Sequence, residues 1–174
     1  MAVSEGTPSE ILTTLGRLAF NAYHPVALQC AVTNVFQPIV HNEGDISYDI
    51  DISFTAEPDP SGPALRGRII HHAVATFSHD FPSRLLISFV AGTMFPADDN
   101  EDLDLWLNTF QGQKRSKKCE VITDLHVPGS MSDDGRLNYV VKRPLVGHLD
   151  VLFVDDELRI TKGNMGSVVV VERL

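Results

Sequence analysis

Gly147-His148-Leu149-Asp150-Val151-Leu152-Phe153-Val154-Asp155-Asp156-Glu157-Leu158-Arg159-Ile160 is the stretch that decides the fold. Two apolar-rich runs flank an acidic pair, the pattern of a β-hairpin. A two-residue turn at Asp155-Asp156 pairs Val154 with Glu157, Leu152 with Arg159 and Asp150 with Thr161. The other face then pairs Phe153 with Leu158 and Val151 with Ile160. That face is wholly apolar, which specifies the register. Asp150 and Arg159 become diagonal neighbours, close enough for an ion pair. Gly163-Asn164-Met165-Gly166 supplies the next turn. Val168, Val169, Val170 and Val171 follow, a β-branched run that fits a strand buried on both faces.

Outward from this hairpin, most of the chain reads as strand. Ile46, Tyr48, Ile50, Ile52 and Phe54 alternate with Ser47, Asp49, Asp51, Ser53 and Thr55, as in a half-buried antiparallel strand. Residues 57–63 are a Pro- and Gly-rich loop. Residues 66–78 and the alternation of Leu85, Ile87 and Phe89 give two more strands around a turn at Asp80-Phe81-Pro82-Ser83. Residues 119–127 and 136–141 give another two, with turns at Pro128-Gly129 and Asp133-Asp134-Gly135. Between them lie an acidic run (Asp98, Asp99, Glu101, Asp102, Asp104) with Trp106 and Phe110 in a short helix or lid, and the basic segment 114–118. A helix over 8–21 precedes everything, with Thr7 as N-cap, Pro8 and Glu10 in its first turn and Ile11, Leu15, Leu18 and Ala19 as its apolar stripe. About eight to nine strands without intervening helices predict an antiparallel all-β fold. We expect one domain over 1–174, a lipocalin-like β-barrel closed on itself and plugged by the N-terminal helix. Such a barrel often keeps a ligand cavity.

The C-terminal stretch resembles the signature of the plastid-lipid-associated protein (fibrillin) family, roughly G-W-L-D, an aromatic-Leu-Asp pair, L-R-I, a basic residue and G-N-x-G. Gly147, Leu149, Asp150, Phe153, Asp155, Leu158, Arg159, Ile160, Lys162, Gly163, Asn164 and Gly166 match without a gap; His148 stands where the family has Trp. The resemblance implies a lipocalin-like barrel associated with lipids, isoprenoids or quinones, in plastids or cyanobacteria. Barrels of this kind also serve as cyclases in natural-product pathways, so fold alone does not fix function.

The net charge of −9 argues against a nucleic-acid partner, which needs clustered Lys and Arg. No apolar run is long enough to span a bilayer, and the first residues lack the basic and apolar regions of a signal peptide. A cytoplasmic protein is expected, or a plastid one if a transit peptide has been removed. Cys30 and Cys119 form no C-x-x-C pair and read as small buried hydrophobes.

No hydrolase, phosphate-loop or zinc motif is present, and no cofactor or metal is implied. His71 and His72 are adjacent in a strand and point to opposite faces. His72 is in phase with Ile70 and Val74, which makes it the interior one and a candidate acid or base. Asp150 and Arg159 are candidates for gripping a polar head or polarising a carbonyl. Tyr48, Phe89, Trp106 and Tyr139 are candidate ligand contacts. The function expected is binding of a hydrophobic small molecule, a lipid, isoprenoid or polyketide. The alternative is a cofactor-free, pericyclase-like cyclase or isomerase with His72, Asp150 and Arg159 as catalytic groups. A homodimer is compatible with either.

Overall fold

The structure, a computed structural model, describes residues 11–42, 45–98, 102–110 and 126–173. In chain order the elements are β1 (Ile11–Thr14), α1 (Leu15–Leu18), β2 (Gln29–Phe36), β3 (Ile39–Asn42), β4 (Asp45–Tyr48), β5 (Ile50–Ala56), β6 (Leu65–Phe77), β7 (Arg84–Pro96), α2 (Leu103–Phe110), β8 (His126–Met131), β9 (Leu137–Val154), β10 (Leu158–Gly163) and β11 (Val168–Glu172). All pairings are antiparallel. The main path runs β1-β2-β5-β6-β7-β9-β10-β11, with β4 joining β6, β3 joining β4, and β8 joining β9. The fold is therefore all-β, as the sequence predicts.

The predicted N-terminal helix is small: its first described residues, Ile11–Thr14, are strand, and Leu15–Leu18 are helical. Ile11, Leu12, Thr13 and Thr14 pair with Val32, Ala31, Cys30 and Gln29, and only the four residues of α1 are helical. Ile11, Thr13 and Thr14 are β-branched and Gly16 is a poor helix former, so local preference already opposed a long helix. The cap residues Thr7, Pro8 and Glu10 lie outside the described residues, as do Asp99, Glu101, segment 114–118 and Cys119.

The alternation through 46–54 survives a break. Ile46 pairs with Ala75 and Ile50 with His71, so β4 and β5 follow β6 in one register. Asp49 leaves the ladder, its N–H bonding Pro38 O at 3.1 Å. Pro128-Gly129, expected as a turn, lies inside β8 at an irregular pairing with β9. Lone Pro and Gly in an edge strand mark such irregularities as readily as turns.

The last hairpin keeps its place but not its register. Arg159 pairs with Val154 and Ile160 with Phe153, and a bulge then sets Thr161 opposite Val151. The Asp155 carboxylate accepts from the N–H groups of Glu157 (2.9 Å) and Leu158 (2.7 Å), which draws the turn into four residues. The expected Asp150–Arg159 diagonal is thereby lost.

Among the described residues the sheet curls into a half-barrel rather than a closed barrel. Its path ends at β1 and β11. The valine run is therefore an edge strand, with Val168 and Val170 about 58% and 60% exposed rather than buried on both faces. Hydrophobicity alone marks a strand but does not say what lies beyond it. Two apolar cores fill the concavity. One contains Tyr23, Phe54, Leu65, Ile69, Met94, Trp106, Phe110, Leu137 and Tyr139; the other contains Ile46, Tyr48, Ala73, Ala75, Leu85, Ile87 and Leu149. Helix α2 seals the first. Asp102 caps it by accepting from Leu105 N–H at 2.7 Å, and Trp106 sinks in over Gly67 and Gly135, donating Nε1–H to Gly135 O at 2.8 Å.

Candidate functional site

The predicted residues fall into three separate places. The first is sealed. His71, not His72, is the interior histidine of β6, 2% exposed. The inward set is Leu65, Gly67, Ile69, His71, Ala73 and Ala75, whereas His72 shares its face with Arg66 and Arg68. Those two arginines mark the outward phase; Ile70 and Val74 mislead because the strand is apolar on both faces. His71 Nε2 lies 2.7 Å from Leu18 O and Nδ1 lies 2.6 Å from Tyr139 Oη. A carbonyl oxygen only accepts, so Nε2 carries a proton. In the neutral ring Nδ1 then accepts from the Tyr139 hydroxyl. Burial pushes the Tyr139 phenol up, which keeps it a donor at neutral pH. Phe20, Phe89 and Tyr139 ring the imidazole at centroid distances of 4.6, 6.3 and 6.2 Å. Phe20 holds its place with a left-handed backbone (φ 50°), a conformation uncommon for a bulky residue. Tyr139 and Trp106 are thus fully buried in the packed core, and Phe89 is half-buried against the second core.

The second set consists of separate polar pairs outside that core. Asp150 is held by Arg84, through Nε at 2.7 Å and Nη2 at 3.1 Å. This bidentate grip holds the Asp150 carboxyl below its ordinary range. His72 sits 3.1 Å from Asp49 with its side chain 41% exposed, and Arg68 grips Asp51. His72 and Asp150 do not meet Arg159.

The third place brings Tyr48 and Arg159 together through Gln37, a residue with no local sequence signature. Gln37, in the link between β2 and β3, accepts at Oε1 from Arg159 Nη2 (2.7 Å) and from Tyr48 Oη (3.3 Å). Because arginine only donates, the amide orientation is forced, and the Gln37 NH2 is left as a further donor. Burial pushes the Tyr48 phenol up, and Arg159 opposes the shift. Gln37 and Arg159 border a cleft of about 330 Å³ between the end of β2, the start of β3 and the β9–β10–β11 corner. Phe36, Ile39, Val154, Leu158 and Val171 form its apolar walls, and Asp155, Glu172 and Arg173 complete the lining. Arg159 Nε is buried without a hydrogen-bond partner, and among the described residues no carboxylate lies within salt-bridge distance of Arg159. A larger cleft of about 440 Å³ is lined by Arg66, Arg68 and several hydroxyl side chains, but Arg68 is already neutralised by Asp51.

No protein-family model, curated protein or solved structure matches this chain. Among the described residues, no group of three or more His, Cys, Asp or Glu is placed to hold a metal ion, and no helix is long and apolar enough to cross a membrane.

Proposed function

We propose that this protein binds a hydrophobic small molecule, and that the ligand lies in the cleft bordered by Gln37 and Arg159. The observation that carries the reading is the cleft itself. Its walls are mostly apolar, its volume is in the range of small-molecule sites, and a few polar groups converge at one place on it. Side chains such as Phe36 and Val154, 45% and 64% exposed, gain cover when such a ligand is bound. The likeness of residues 147–166 to the plastid-lipid-associated signature supports the same reading, since Leu158 and Arg159 belong both to that signature and to the cleft. A carrier is preferred to a cofactor-free cyclase because His72 and Asp150, the acid–base candidates, face elsewhere.

The test is titration with an environment-sensitive apolar dye, together with native mass spectrometry for retained lipid. Saturable binding to wild type and its loss in Leu158→Asp are expected. Equal dye binding by the two proteins, each with native circular dichroism, would defeat the proposal.

We also infer that two copies pair along β11. The supporting observation is that β11 ends the sheet path with Val168 and Val170 exposed, residues 34–37 at the end of β2 lying across a gap from residues 169–172, an arrangement that templates pairing. Val170 lies in a cross-strand apolar row with Ile160 and Phe153. A two-fold axis at Val170 would continue that row into the partner. Sedimentation should show a dimer for wild type and a monomer for Val170→Lys; a wild-type monomer at all concentrations would refute it.

A further inference from the structure

The geometry points to an anionic head group on the cleft's ligand, and specifically to a carboxylate on an acyl chain, with Arg159 as its counter-ion. This rests on the cleft reading above and deepens it. Arg159 stands between Val154 on β9 and Val171 on β11. It is a partly buried guanidinium flanked by apolar side chains. A cation in such surroundings is normally paired, because desolvation is costly unless an opposite charge offsets it. Here the only hydrogen bond from the guanidinium to a described residue goes to Gln37, a neutral amide, while Nε–H has no acceptor.

The neighbouring acids do not fill the gap. Asp155 Oδ1 is committed to the N–H groups of Glu157 and Leu158. Glu172 also lines the cleft but is exposed and beyond salt-bridge distance of Arg159. Asp150, the expected partner, is taken by Arg84. Among the described residues the guanidinium has no carboxylate within salt-bridge distance, and the apolar Phe36, Ile39, Leu158 and Val171 line the cleft beside it and Gln37. A planar carboxylate matches the guanidinium fork, and the chain behind it covers Phe36, Ile39, Leu158 and Val171.

The experiment compares dodecanoate with dodecan-1-ol, below their aggregation limits, by isothermal titration on the full chain. Wild type should bind the acid at least about tenfold more tightly than the alcohol, one charge-assisted interaction's worth. Arg159→Met should bring that ratio close to one, through a loss of the acid's affinity much larger than any change in the alcohol's. Arg159→Lys, which keeps the charge but not the fork, should retain part of the preference. Circular dichroism and thermal melts establish that each variant is folded. Equal binding of acid and alcohol by wild type overturns the carboxylate assignment while leaving the cleft reading intact. Absence of binding by either ligand overturns both. An equal loss for both ligands in Arg159→Met makes Arg159 a wall residue and also overturns the assignment. In a parallel arm, phosphatidic acid vesicles replace the free acid. Arg159-dependent flotation with the vesicles, without binding of dodecanoate, would place the anion on a lipid surface and overturn the free-acid reading.

Discussion

Tyr139→Phe removes one oxygen from the interior and leaves the ring. That oxygen sits 2.6 Å from His71 Nδ1, while Nε2 of the same imidazole is tied to Leu18 O at 2.7 Å. The two bonds join α1, β6 and β9 through side chains that are each 2% exposed or less. Without the hydroxyl, Nδ1 is left in the interior without its donor. A buried polar atom stripped of one partner costs about 1–3 kcal/mol. For a chain of this size that is a fall in Tm of roughly 2–4 °C per kcal/mol. We therefore expect Tyr139→Phe to melt about 2–12 °C below wild type, by calorimetry and by urea titration. A double-mutant cycle with His71→Leu should give a coupling of about 1 kcal/mol or more, because the pair is in direct contact. A Tyr139→Phe protein within about 0.5 kcal/mol of wild type, or additive effects in the cycle, would refute the hydrogen-bond reasoning.

A methyl group added at Gly67 would lie 2.5 Å from Trp106 Cη2 and 2.8 Å from Phe54 Cζ, so Gly67→Ala should cost about 1–3 kcal/mol of overpacking, read from urea midpoints. Asp150 has a folded pKa held down by Arg84; its contribution is present above the unfolded value near pH 4 and is lost as pH falls through the lower, folded value. Asp150→Asn should therefore lose less stability than wild type between about pH 5 and pH 2. Burial pushes the Cys30 thiol up to about 11, so in a Cys119→Ser background Cys30 should resist alkylation at pH 8 until the protein is unfolded; rapid labelling of the native protein would contradict the buried placement.

The fold class was legible because period-two alternation is a local signal. Ile46, Tyr48 and Phe54 all reach the interior as their spacing predicts, even though the strand breaks at Asp49. Phase was harder to read where both faces are apolar. In β6 the small Gly67, Ala73 and Ala75 mark the interior while Ile70 and Val74 face outward, and Arg66 and Arg68 were the better guide to His72. Turn chemistry decided the hairpin register. Asp155 could be seen as a turn residue, but not that its carboxylate would take two backbone N–H groups. Closure was not legible at all, because a run of valines looks the same in a central strand and at an edge. The site was half legible. Arg159 and Tyr48 were singled out, but Gln37, which joins them, lies 122 residues from Arg159 and carries no local signature. Arg84, the true partner of Asp150, was hidden in the same way by the pairing of β7 with β9.

The central claim, that an apolar ligand occupies the cleft beside Arg159, is most directly tested by methyl NMR during titration with dodecanoate. Saturable shifts should concentrate on Ile39, Val154, Leu158 and Val171, which wall the cleft, and leave Leu65, Ile69 and Leu137 of the sealed core unmoved. Shifts confined to the sealed core, or no saturable shift anywhere, would contradict the account.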